Sequence, residues 1–304
     1  MLKCRYSRRL SATRSHRLSI ERLEDRRLLT ADFQLLKDIN PGPVGSSAGN
    51  FVEVGDITFF TATTATHGRE LWKTDGTEAG TVMVKDIRSG ILGSNPWSLT
   101  NLNGTLFFSA NDGVHGQQLW KSDGTESGTV MVKNISTGFS GANPSYLTDV
   151  NGTLFFSAND GVHGQELWKS DGTEAGTVMV KDIRPGSLWS NPQYLTNVNG
   201  TLFFSTFDDV NGRELWKSDG TEAGTVMVRD IRPGSDSGIP SNLTDVNGTL
   251  FFRANDGIHG FELWKSDGTS SGTVMVKDIR PGGNASPSNL TDVNGTLFFR
   301  ADDG

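Results

Sequence analysis

A tryptophan returns every 48 residues in this chain: Trp72, Trp120, Trp168, Trp216 and Trp264 keep one register without a slip. A period of that length marks a repeat architecture, in which a single unit cannot bury its own apolar face and stacks on its neighbours. Each Trp lies in Glu/Gln-Leu-Trp-Lys-Ser/Thr-Asp-Gly-Thr, followed by Gly-Thr-Val-Met-Val and then Asp/Asn-Ile. Upstream, Asn-Gly-Thr-Leu-Phe-Phe recurs at Asn103, Asn151, Asn199, Asn247 and Asn294, and the last interval is one residue short because of a deletion in the loop after Arg280.

The third copy serves as a template. Strand a is predicted at Tyr146 to Val150, and Asn151-Gly152 supplies the positive φ angles of a type I′ hairpin turn. Strand b follows at Thr153 to Ala158, strand c at Glu166 to Ser170 and strand d at Thr177 to Ile183, with turns at residues 159–164 and 171–176. The runs Leu154-Phe155-Phe156 and Leu167-Trp168 are continuous rather than alternating, which implies sheets buried on both faces. With 37 glycines and only 10 prolines among short apolar runs, the chain reads as all-β. Four strands per repeat make each copy a candidate blade of a β-propeller-like array, with five full repeats and a partial sixth. The alternatives are an open β-solenoid or a linear β-repeat array.

Phe33 to Gly42 lines up with the strand d segment Val178 to Gly186, so the repeat domain, residues 33–304, starts on a strand d and stops after strands a and b. The expectation is ring closure. Residues 33–40 would pair, as an outer strand, with the last hairpin, Leu290 to Ala301, and so cover a sheet edge.

Net charge is -7, but residues 1–30 carry nine basic and three acidic side chains, which leaves the remainder at -13. An acidic repeat body repels phosphate backbones, so no nucleic-acid partner is expected. No apolar run reaches the length of a bilayer crossing, so the chain is not expected to span a membrane as a helix. The single cysteine, Cys4, excludes an intrachain disulfide. Residues 1–32 form a basic targeting or disordered segment without the continuous apolar stretch of a secretory signal.

The block Leu-Trp-Lys-Ser-Asp-Gly-Thr with its trailing Gly-Thr resembles the ELWxxDGT repeat family of bacterial proteins over about residues 33–304, with one departure at Gln118. That resemblance implies a repeat-bearing, often exported protein without an established activity. Leu23-Glu24-Asp25-Arg26-Arg27-Leu28-Leu29 resembles the LEPR-XLL motif of bacterial exported proteins, with Asp25 where proline is usual, and implies an extracellular or cell-surface location. The Asp-Gly-Thr hairpins also resemble the structural Asp-box of sialidase-like propellers.

Two sets of polar residues recur. Asp75, Asp123, Asp171, Asp219 and Asp267 could supply carboxylates for calcium, but no Asp-x-Asp-x-Asp-Gly spacing is present, so turn capping is expected and no cofactor is implied. His67, His115, His163 and His259, with Asn211 in the fourth copy, fall in the b–c turn, where a structural use is expected over metal binding. The Trp of each repeat is expected in the core. Variation concentrates in the d-to-a connections, and Trp97, Phe139, Tyr146, Trp189 and Tyr194 are the candidate ligand-binding residues there. The expected function is a binding or scaffold module for an envelope polysaccharide or a protein partner, with no catalysis. Two alternatives are a propeller-type glycan hydrolase or lyase and a structural surface spacer. A catalytic site should break the repeat, and the strongly divergent turn is Phe207-Asp208-Asp209-Val210-Asn211.

Overall fold

Asn-Gly and Asp-Gly turns, with Gly55-Asp56 in place of Asn-Gly in the first copy, fold the five full repeats into meanders of four short strands. The computed structural model describes residues 35–41 and 43–304, and the basic leader with its LEPR-XLL-like motif and Cys4 lies outside them. Sheet 1 consists of β1 (Gly49–Val54), β2 (Ile57–Thr64), β3 (Gly68–Thr74) and β4 (Val82–Lys85). Sheet 2 follows with β5 (Trp97–Leu102), β6 (Thr105–Asn111), β7 (Gln117–Ser122) and β8 (Val130–Lys133). Sheet 3 has β9 (Ser145–Val150), β10 (Thr153–Asn159), β11 (Gln165–Ser170) and β12 (Val178–Lys181). Sheet 4 has β13 (Gln193–Val198), β14 (Thr201–Asp208), β15 (Gly212–Ser218) and β16 (Val226–Arg229). Sheet 5 has β17 (Ser241–Val246), β18 (Thr249–Asn255), β19 (Phe261–Ser266) and β20 (Val274–Lys277), and the chain ends on a hairpin of β21 (Ser288–Val293) and β22 (Thr296–Arg300). Among the described residues the strands pair antiparallel between sequence neighbours, an isolated parallel bridge joins Gln117 to Gly141, and no sheet closes on itself.

Asn151 and Gly152 both take positive φ, 52° and 80°, as the predicted turn between strands a and b requires. At the turn between c and d, Asp171 Oδ1 accepts from the Thr173 N–H at 2.8 Å and from the Thr173 hydroxyl at 2.7 Å, and Gly172 takes a φ of 86°. The same bonds recur around Asp75, Asp123, Asp219 and Asp267.

The core lies between successive sheets rather than within one. Leu154, Phe156 and Trp168 of sheet 3 pack with Phe107, Leu119 and Val132 of sheet 2. Phe155, Leu167 and Val180 point the other way, onto Leu202, Phe204 and Trp216 of sheet 4. A continuous apolar run is therefore two alternating faces, each with its own partner sheet, and each such buried Leu or Phe contributes about 2 kcal/mol. Polar bonds repeat at the same spacing. The Thr100, Thr148, Thr196 and Thr244 hydroxyls donate to the Leu147, Leu195, Leu243 and Leu290 carbonyls of the next first strand, at 3.2–3.4 Å. Lys73, Lys121, Lys169 and Lys217 each donate to the carbonyl of the Asp-Gly glycine in the following sheet, at 2.7–2.9 Å.

The expected closure does not form. Strand β22 pairs only with β21, and Phe298 and Phe299 stay 56% and 39% exposed. The N-terminal segment packs on sheet 1 instead: Ile39 lies against Phe60, Ala62 and Trp72, and Lys37 Nζ donates to the Thr81 carbonyl at 2.7 Å. The reason is in the repeat itself. Lys85, Lys133 and Lys181 at the ends of their fourth strands make the same bond to Thr129, Thr177 and Thr225 of the following sheet. Residues 36–41 thus resemble strand d and, through Lys37 and Ile39, address the sheet that follows. Residues 33 and 34 of the expected strand lie outside the described residues.

Candidate functional site

In an up-and-down sheet the a–b and c–d turns fall at one end, and the b–c turn and d–a connection fall at the other. The variable loops therefore share one end with the starts of the first strands. The structure places Trp97, Phe139, Tyr146, Trp189 and Tyr194 all at that end.

It brings two of them together. The Tyr146 and Tyr194 rings stand 6.2 Å apart at 44°, both roughly two-fifths exposed (41% and 36%). Each is the second residue of a first strand, where a bulge shifts the register against the next strand. The bulge needs a left-handed backbone: φ is 56° at Tyr146 and 55° at Tyr194, and 52–56° is the range at the equivalent Asn50, Ser98, Asn242 and Asn289. Asn and Ser tolerate that conformation, whereas a bulky aromatic residue there is strained. Arg213 lies beneath the pair. Its Nη1 donates to the Asn191 and Ser205 carbonyls at 3.1 and 3.2 Å, and burial pulls its pKa below the ordinary guanidinium value. Burial raises the Tyr146 hydroxyl, and the neighbouring Tyr194 adds to the rise while Arg213 opposes it. The remaining three candidates do not join this pair. Trp97 opens β5, Phe139 projects almost free in its loop at 95% exposure, and Trp189 rests its ring edge beside Gly164 of its own repeat.

The b–c turns complete this end. Asp160 Oδ1 accepts from the Val162 and His163 N–H groups at 2.8 Å, and its Oδ2 meets His163 Nδ1 at 2.6 Å; Asp112–His115 and Asp256–His259 repeat the pattern. Burial disfavours the Asp160 carboxylate, but these hydrogen bonds outweigh it and hold the group below its ordinary value, while Asp160 raises His163. The divergent fourth turn is built the same way. Asp208 caps it through the Val210 and Asn211 N–H groups, and Asp209 Oδ1 takes the Arg184 Nε of the preceding repeat at 2.6 Å. The two carboxylates serve different partners, one within the turn and one across it.

Beneath the loops runs a feature the sequence reading passed over. The Glu of each Glu-Leu-Trp block is completely buried and closes the d–a connection: Glu166 accepts from the Ile183 and Ser190 N–H groups at 3.0 Å and from the Ser190 hydroxyl at 2.6 Å. Glu214 does the same with Ile231 and Gly238, and burial drives both glutamates up to about 7. The repeat tryptophans are buried, as expected: Trp120, Trp168, Trp216 and Trp264 lie in the cores between sheets, and Trp72 lies under Ile39.

At the opposite end, small clefts of about 170 Å³ recur between sheets 3 and 4 and between sheets 4 and 5, lined by Asn151, Lys169 and Asp219 or by Asn199, Lys217 and Asp267. They are below the size of an ordinary small-ligand pocket. Among the described residues no group of three or more His, Cys, Asp or Glu side chains is arranged to hold a metal ion. No helix there is long and apolar enough to cross a membrane.

No family model matches this chain, and no curated protein matches it. Similar solved structures include a puromycin hydrolase, at 13% identity and a TM-score of 0.48, over 77% of this chain and 39% of that one. A prolyl endopeptidase aligns at 11% identity and a TM-score of 0.47, over 80% of this chain and 37% of its own. A gluconolactonase from Xanthomonas campestris aligns at 16% identity and a TM-score of 0.40, over 82% and 88%. The chain thus spans about two-fifths of the length of the first two.

Proposed function

We propose that this chain is a non-catalytic binding module of the ELWxxDGT type, a propeller-like array displayed at the bacterial cell surface or secreted, which engages envelope polysaccharide at the loop end. One observation carries the reading. Tyr146 and Tyr194 occupy, in adjacent repeats, a left-handed position that other repeats fill with Asn or Ser, and they remain part-exposed with their rings 6.2 Å apart and tilted to each other. Such strain costs on the order of 1 kcal/mol per residue, and it persists where surrounding structure holds it for a purpose. Two amphipathic rings beside a half-buried guanidinium suit the apolar face and hydroxyl edge of a sugar ring. The acidic body favours a neutral polymer over an anionic one. The hydrolase alternative would draw on Asp208 and Asp209, whose oxygens are already engaged in capping the turn and in the Arg184 pair. Export rests on the resemblance of the leader to LEPR-XLL.

The test restores the residue that the repeat itself uses. In Tyr146→Asn/Tyr194→Asn, thermal stability should hold or rise, while retention in affinity electrophoresis through envelope polysaccharide should be lost. Unchanged retention would remove the tyrosine platform from the function. A marked loss of stability would show that the rings are there for packing.

A further inference from the structure

Each fully buried Glu of the Glu-Leu-Trp block has an acidic neighbour, the Asp that precedes Ile at the end of the fourth strand. Asp182 adds to the rise of Glu166, and Asp230 to that of Glu214, which places both partners within electrostatic reach. In four repeats one oxygen of that Asp, the Oδ1 of Asp86, Asp182, Asp230 and Asp278, is buried without a hydrogen-bond partner. A buried carboxylate oxygen with no donor carries a desolvation cost of a few kcal/mol, and one such atom would be a local defect. Four at equivalent positions are a property of the repeat.

The second repeat shows what the missing donor does. There both acids are amides at once, Gln118 and Asn134, and no repeat mixes an acid with an amide. Gln118 is as buried as the glutamates, and its Oε1 accepts the Ile135 N–H at 3.0 Å, as Glu166 accepts that of Ile183. Its Nε2 donates to Asn134 Oδ1 at 3.0 Å, and also to the Ser136 and His115 carbonyls at 2.7 and 2.9 Å. Where the pair is made of amides, a hydrogen joins its members. Two ionised carboxylates have no hydrogen to put there, and only a bound proton restores the link.

We propose that each of the three acid pairs Glu70–Asp86, Glu166–Asp182 and Glu214–Asp230 is a binding site for one proton shared between its carboxyl groups, and that this proton keeps the d–a connection closed. Gln118–Asn134 is the same link made permanent. The charged groups around Glu166 are Asp182 at the end of β12, His163 with its partner Asp160 in the b–c turn, and Arg184 in the d–a connection, which reaches away to Asp209. In the fourth repeat the turn carries Asn211 and Asp208, so no imidazole accompanies Glu214. Burial is the largest cause of the raised glutamate, so the native state holds protons that the unfolded chain has already released.

The direction of linkage follows. A carboxyl raised in the folded state holds more protons there than in the unfolded chain from about pH 4.5 to about 7, so stability falls as pH rises through that window. Calorimetric unfolding near pH 6, in buffers of different ionisation enthalpy, counts the protons released. The native chain should release protons on unfolding. The variant Glu166→Gln/Asp182→Asn/Glu214→Gln/Asp230→Asn, which copies the second repeat twice, should release about two fewer. It should also lose most of the fall in Tm between about pH 5 and 8. Because that variant alters four buried groups, the reverse exchange is the independent arm: Gln118→Glu/Asn134→Asp should add about one proton to the count. Equal proton release by the native chain and by either variant that folds would overturn the proposal. So would calcium chloride raising the Tm of the native chain but not that of the amide variant, since a cation would then occupy the place of the proton.

Discussion

Replacing Gly172 by alanine should destabilise the fold by roughly 3 kcal/mol, against about 1 kcal/mol for the same change at Gly76. Both glycines follow the Asp of a c–d turn, with the same φ of 86° and the same Asp-to-Thr bonds. The strain of placing a Cβ in that left-handed conformation, about 1 kcal/mol, is common to the two. They differ in what the new Cβ meets. At Gly172 it would stand 3.0 Å from Cζ of Phe107, a ring of the preceding sheet only 3% exposed and wedged in the inter-sheet core, whereas at Gly76 nothing lies within 4 Å. Forcing that ring aside is overpacking, about 2 kcal/mol more. Urea denaturation, with hydrogen exchange at residues 105–111 of β6 as the local readout, separates the terms. Exchange in β6 should quicken in Gly172→Ala and stay at the native rate in Gly76→Ala. Equal midpoints for the two variants would refute the claim that the Asp-Gly turn is an inter-sheet contact as well as a turn.

Two further outcomes rest on the same repetition. Lys121→Met should lose about 1 kcal/mol by removing the bond from Nζ to the Gly172 carbonyl at 2.9 Å, while Lys265→Met, at the same strand position but exposed, should be near neutral in this chain; thermal melts of the two variants check this. The Asp160–His163 pair stabilises the folded state above the folded pKa of the aspartate and loses its effect as pH rises through the raised pKa of the imidazole, so Asp160→Asn should flatten the stability profile just above the ordinary histidine range, followed by the His163 ring resonances in NMR.

The parts of the fold that were legible in the sequence are those decided by local chemistry. Asn151-Gly152 and Asp171-Gly172 dictate their turns through φ and a side-chain cap, whatever surrounds them, and strands β9 to β12 fall within about two residues of the sequence assignment. The double-faced run Leu154-Phe155-Phe156 was legible because three consecutive large apolar residues in a strand have nowhere to go except between two sheets. What misled was the inference from likeness to partner. Residues 36–41 do resemble strand d, but a strand d is defined here as much by the sheet its lysine caps as by the strand it pairs with, and Lys37 follows the first of those rules. The candidate site was legible by type and end of the molecule, yet only Tyr146 and Tyr194 converge, since which loops meet depends on the bulge and on Arg213 below.

The departures from a near-perfect repeat then acquire different meanings according to what they touch. A residue that breaks the period without changing the backbone it sits on is chosen against local preference, as the two tyrosines are at positions shaped for asparagine. A pair that breaks the period together, as Gln118 and Asn134 do, preserves an interaction and reveals its chemistry by swapping the groups that make it. Asp209 breaks the period and answers Arg184 of the preceding repeat, one of the salt bridges between repeats on this chain. In a chain that supplies five versions of one unit, each copy is the control for the others, and the buried acids were hidden only because four copies agree. The second shows that the Glu of Glu-Leu-Trp serves as a clamp on the loop above it. Its charge is dispensable, because Gln118 closes the same connection through the Ile135 N–H without one.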